Sequence, residues 1–179
     1  MRLRILSYTA MFAALTAVGA FIRIPLGVSS ITLQFFFTAM AGVMLGARCG
    51  ALSQLVYVAL GLVGLPIFTA GGGFGYLLQP TFGFLLGLIP AAWIIGKLAE
   101  KNSKPWQIAL SCVAGLAALY AVGLPYMALI LNGYMGKGMN TSAILWAGML
   151  PFLPGDALKI IVTSVLCPVL RKRLGKTHE

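Results

Sequence analysis

Long apolar runs separated by short basic junctions are what most constrain this chain. Each run is long enough to cross a hydrocarbon core of about 30 Å at about 1.5 Å of helix rise per residue. Of the 179 residues, 60% are hydrophobic and 9% charged, against about 25% charged in an ordinary soluble domain. A soluble fold is therefore excluded. The length holds six helical spans and little more, so the expected fold class is an all-α integral membrane protein, a bundle of six transmembrane helices in one polytopic domain. Catalytic or nucleotide-binding machinery has no room outside the membrane.

The formal charge of +10 would suggest nucleic acid in a soluble protein, because clustered Lys and Arg release counterions from phosphate. The placement of the charges argues otherwise. Arg2, Arg4, Arg48, Lys97, Lys101, Lys104, Arg171, Lys172, Arg173 and Lys176 fall at every second junction, and only Arg23 and Lys137 at the alternate ones. Ten basic residues against two place the first set in the cytoplasm under the positive-inside rule. The expectation is a multi-pass protein of the cytoplasmic membrane with both termini cytoplasmic and no nucleic-acid partner.

Cys49, Cys112 and Cys167 are scattered singly, and the one histidine, His178, sits in the basic tail. Neither a zinc site nor a disulfide framework follows from that pattern. The first run has a basic start and small residues at Val18-Gly19-Ala20, as a secretion signal does. More membrane follows it, so it reads as a retained span.

The expected spans are 5–24, 31–47, 50–65, 81–97, 105–131 and 142–170. Pro105 suits the first turn of span five, where a missing N–H is harmless. Pro151, Pro154 and Gly155 predict an interrupted start to span six, with a regular helix from about Pro154 to Leu170.

Inside that helix stand Asp156 and Lys159, an acid and a base three residues apart and so on one face. Counting back from Arg171 puts Lys159 about 18 Å and Asp156 about 22 Å above the cytoplasmic boundary, at about 1.5 Å per residue. Both lie above the midplane, toward an outward-facing pocket. A charge at bilayer depth costs about 2.5–3.5 kcal/mol on insertion scales, which makes such a pair a functional candidate. Asp156 would accept from ligand N–H groups and Lys159 donate to ligand oxygen; a structural ion pair closing the kink is the plain alternative.

The stretch from Gly61 to Pro80 interleaves glycines, Gly73 among them, with Phe68, Phe74 and Tyr76. It matches no phosphate-binding motif. A flexible lid with aromatic walls over an outward pocket fits it, tight helix packing being the alternative. Gln34 at the start of span two and Gln79 at the end of the lid approach the same outer face, as ligand contacts or as merely interfacial amides. Arg23 and Lys137 read as snorkelling side chains. On span one, Ala10 and Ala14, with Ala13 and Ala17 beside them, have the small-xxx-small spacing that lets helices approach closely in lipid.

Taken in order, Ile31-Thr-Leu-Gln34, Gly64-Leu-Pro-Ile-Phe68, Gly71-Gly-Gly-Phe-Gly-Tyr76, Pro80-Thr-Phe-Gly83 and Pro151-Phe-Leu-Pro-Gly-Asp156 with Lys159 resemble the BioY family. These are biotin-specific substrate-binding (S) components of energy-coupling factor (ECF) transporters. The resemblance covers nearly the whole chain. It implies six helices, biotin bound from outside by Asp156 and Lys159 and by lid residues Gly73, Phe74 and Tyr76, and no cofactor. It also implies that the Ala10-xxx-Ala14 face docks on a shared transmembrane T component. Two ATPase subunits would supply energy, while the S component topples in the membrane to release its vitamin.

With the resemblance, the residues favour a vitamin-binding transport component with no catalytic residues and no metal. A carboxylate, an ammonium and aromatic walls suit the ureido group, fused ring and valeryl chain of biotin, and they would also suit another small amphipathic solute. A membrane enzyme is disfavoured, because no histidine, acidic cluster or activated nucleophile is available to it. A structural adaptor would leave the intramembrane charges without a role.

Overall fold

An apolar chain in lipid must close its backbone hydrogen bonds within itself, and helices do so segment by segment. The computed structural model describes residues 3–26, 29–101 and 104–174; Arg2, Lys176 and His178, invoked above, lie outside them. The described residues form an all-helical bundle with one small hairpin. In chain order come α1 (Leu3–Phe21), strands β1 (Arg23–Leu26) and β2 (Ser29–Thr32), α2 (Gln34–Leu62), a 3₁₀ turn (Phe74–Leu78) and α3 (Phe82–Ala99). Then follow α4 (Pro105–Ala128), a π-helical turn (Leu129–Tyr134), α5 (Thr141–Gly148) and α6 (Leu153–Leu174). Among the described residues, five helices are long and apolar enough to cross a membrane, counting α2 once and α4 with its π-turn.

α2 is not straight. Gly46 sits at φ 78°, ψ 180°, a region essentially closed to any residue with a Cβ, and there the chain reverses. The two arms, 34–45 and 47–62, run antiparallel: Gln34 Nε2 donates to the Tyr57 hydroxyl at 2.8 Å, and the Thr38 hydroxyl lies 3.0 Å from Gln54 Oε1. In a continuous helix Gln34 and Tyr57 would be about 35 Å apart at about 1.5 Å per residue.

The observed boundaries depart from the expected spans in three places. Residues 23–26 and 29–32 pair as antiparallel strands, with Arg23 opposite Thr32 and Leu26 opposite Ser29. Helix α1 therefore stops at Phe21 and the next helix starts at Gln34, so Ile24, Ile31 and Thr32 leave the expected spans for the hairpin. β-branched residues at the end of an apolar run serve a strand as well as a helix. The expected sixth span is two helices, α5 and α6, separated by a turn through Pro151, as its prolines required.

Helix α3 lies between α2 and α4, and these three make the main packing contacts, with α1 against α2 and α6 against α2 and α4. Small residues set the spacing: a Cβ added at Gly87 would meet the Leu119 carbonyl oxygen at 2.8 Å, and one at Gly115 would run into Ile95. Ile95, Ile108 and Cys112 are fully buried between them.

Arg4, Arg48, Lys97, Lys101, Lys104, Arg171, Lys172 and Arg173 gather at one end of the bundle. Arg23 and Lys137 belong to the other. Arg171 is more than a surface charge: its guanidinium donates to the Ala99 carbonyl at 3.0 Å and to the Val43 carbonyl. It thereby ties α6 to the C-terminal ends of α3 and the first arm of α2, where helix dipoles favour a cation.

Candidate functional site

A cavity of about 370 Å³ opens at the end of the bundle opposite the basic cluster. Apolar side chains from α3 and α4 (Phe84, Leu85, Leu88, Leu116 and Leu119), with Phe35 and Phe152, form its walls. The volume falls within the roughly 300–1,000 Å³ of small-molecule sites, and apolar walls beside placed polar groups are their usual pattern.

The polar groups come from α6 and α4. Pro154 falls in the first turn of α6, where its missing N–H breaks no hydrogen bond, and Asp156 begins the helical ladder with its N–H to the Phe152 carbonyl at 2.9 Å. Lys159 Nζ donates to Asp156 Oδ1 at 2.7 Å, both side chains being buried. The Tyr120 hydroxyl of α4 donates to Asp156 Oδ2 at 2.6 Å. Asp156 is thus held on both oxygens, by an ammonium and a phenol. Each oxygen retains a lone pair, and Lys159 retains two further N–H donors, so the trio can accept from N–H groups and donate to a carbonyl on one ligand.

The rim is polar. Gln34 is buried, with Oε1 taking the Thr32 hydroxyl at 3.0 Å and Nε2 on Tyr57. Tyr57 in turn donates to the Ile67 carbonyl at 3.0 Å. The glycine-rich loop packs on this framework through a run of rings, Tyr57, Phe68, Tyr76, Phe82 and Tyr126, with successive centroids 5.5, 4.7, 6.3 and 5.8 Å apart. Gly73 donates its N–H to the Gly61 carbonyl at 2.7 Å, and its own carbonyl accepts from Tyr76. A Cβ at Gly72 would collide with the Leu65 carbonyl, so the loop closes on itself only with glycine there.

Of the residues singled out in the sequence, Asp156, Lys159, Tyr76, Gln34 and Gln79 line this one cavity. Tyr76 is buried, its hydroxyl 2.8 Å from that of Thr69. The structure does not bring Phe74 there: the residue is 71% exposed and does not line the cavity, and Gly73 shapes the loop without lining it. Ala10 and Ala14 lie on the exposed side of α1, while Thr9, Phe12, Ala13 and Thr16 face the bundle.

Sequence reasoning missed Tyr120, Thr32 and Arg23. Tyr120 is one of six tyrosines and 36 residues from its partner Asp156, so nothing local marks it. Arg23, read as a snorkelling side chain, lines the cavity and donates from Nη1 to the Thr69 carbonyl of the glycine-rich loop.

A family model described as the BioY family matches residues 1–176. A probable biotin transporter BioY from Lysinibacillus sphaericus is 44% identical over 165 residues, 91% of this chain and 84% of that protein. A biotin transporter BioY from Thermotoga maritima is 40% identical over 163 residues, 90% and 92% of the two chains. The crystal structure of an S-component for biotin from an ECF-type ABC transporter matches 98% of this chain and 94% of its own, with a TM-score of 0.83 at 26% identity. On the family model and on relatives at this identity across most of both lengths, the chain is a multi-pass membrane transport protein and belongs to the BioY family.

Proposed function

We propose that this protein binds biotin with high affinity and serves as the S component of an ECF-type transporter for uptake across the cytoplasmic membrane. The observation that carries this reading is the Tyr120–Asp156–Lys159 trio at the end of an apolar cavity. The ureido group of biotin has two N–H donors and a carbonyl, which match the free acceptor sites of Asp156 and the free donors of Lys159. Its ring and valeryl chain match the Phe and Leu walls. Tyr76, Gln34 and Gln79 bound the ligand at the rim, and Gly73 and Phe74 shape the lid.

The binding component performs no chemistry and needs no cofactor. Counted as separate passes, the two arms of α2 bring the total to six, with the Gly-rich loop between the third and fourth. Both termini are cytoplasmic and the cavity faces outward, a reading that the basic residues at one end of the bundle support. The Ala10 and Ala14 face of α1 docks on the T component, whose two ATPase partners supply the energy.

Equilibrium binding of labelled biotin to the detergent-purified protein tests the reading. Wild type should bind tightly, and Asp156→Asn and Lys159→Ala should each weaken binding at least about tenfold, the usual effect of losing a hydrogen bond to a charged group. Unchanged affinity in both variants would remove the pair from the site.

A further inference from the structure

We infer that Arg23 is the specificity residue of the cavity, the guanidinium that selects a ligand carrying a carboxylate at the end away from its hydrogen-bonding ring. The inference rests on the proposed biotin reading and adds to it the second anchor point of the ligand.

The argument is one of charge balance. The cavity lining includes two cations, Arg23 and Lys159, and one anion, Asp156. Among the described residues the one ion pair is Lys159 with Asp156, so those two charges cancel each other. Arg23, exposed at the mouth of the cavity, makes its contact to a neutral backbone carbonyl, that of Thr69, so the mouth carries one positive charge with no carboxylate of the described residues paired to it. An anionic ligand supplies the missing charge; a neutral one does not.

Position supports the same assignment. A ligand carboxylate beside Asp156 would meet a buried carboxylate of like sign, so it must lie away from that end. Arg23 stands on β1, in the hairpin that borders the cavity, and the other basic residue of that end, Lys137, does not line the cavity. A guanidinium also presents paired N–H donors whose geometry fits a carboxylate in two parallel bonds. Because Arg23 bridges the β1–β2 hairpin to the glycine-rich loop, a carboxylate bound there would sit where the two segments over the cavity meet.

The test is competition against labelled biotin by unlabelled biotin and by biotinamide, the same molecule with a neutral end, on wild type, Arg23→Gln and Arg23→Lys. Wild type should prefer biotin to biotinamide by about tenfold or more. Arg23→Gln should lose most of its affinity for biotin, keep that for biotinamide within about twofold, and so lose the preference; Arg23→Lys should retain part of it. Two results would overturn the inference: a preference that survives in Arg23→Gln, or equal weakening toward both ligands, which would make Arg23 only a tie between loops. Wild type that binds neither ligand would instead sink the biotin reading itself.

Discussion

At the scale of single residues, the informative signal was scarcity. With three acidic residues in the chain, an aspartate inside an apolar helix draws the eye, and Lys159 three positions on supplies its partner. What the sequence could not display is the third member. Tyr120 reaches Asp156 from another helix, and its role exists only once α4 and α6 pack. Tyr120→Phe should leave Asp156 Oδ2 short of a donor and weaken biotin binding about tenfold. In an Asp156→Asn background the same change should add little, because the coupled interaction is already gone; full additivity in calorimetric titrations would show the phenol acting independently. The same limit explains Arg23. Its position in sequence says only that a cation stands at a helix end, and its role depends on a strand pairing and a loop 46 residues away.

At the scale of elements, the apolar runs announced helices, and their prolines announced the break before α6. The β1–β2 hairpin was illegible, because Ile24, Ile31 and Thr32 continue the hydrophobicity of the flanking helices and period alone does not separate a short strand from a helix end. The reversal in α2 was legible as a basic junction at Arg48 but not as a turn made by one glycine. Gly46→Ala should cost about 1–3 kcal/mol through its backbone alone and lower the thermal midpoint of the detergent-solubilised protein. In the glycine-rich loop two neighbours should behave oppositely. Gly72→Ala forces the loop off the Leu65 carbonyl and should reduce the stabilisation that biotin gives in thermal unfolding, whereas a Cβ at Gly75 meets open space and Gly75→Ala should leave it unchanged. Equal behaviour of the pair would mean that loop packing does not shape the site.

At the scale of the whole molecule, the pattern of basic junctions predicts an orientation that no single residue carries, and the fold places the described residues among them together at one end. On the proposed reading, the exposed side of α1 is the surface for assembly. Ala10→Trp or Ala14→Trp should leave biotin binding by the isolated protein intact, since neither residue lines the cavity, yet prevent co-purification with the T component. Normal assembly and ATP-driven uptake in both variants would place the docking surface elsewhere. The tie made by Arg171 has a consequence for transport. It fastens three helix ends beneath a packed plug of Ile95, Ile108 and Cys112, so the bundle is a cup with a sealed floor. On the proposed transport reading, a cup is emptied over the lip by which it was filled, so cargo would reach the far side of the membrane by tipping the cup, and the tie across the floor would let it turn as one body.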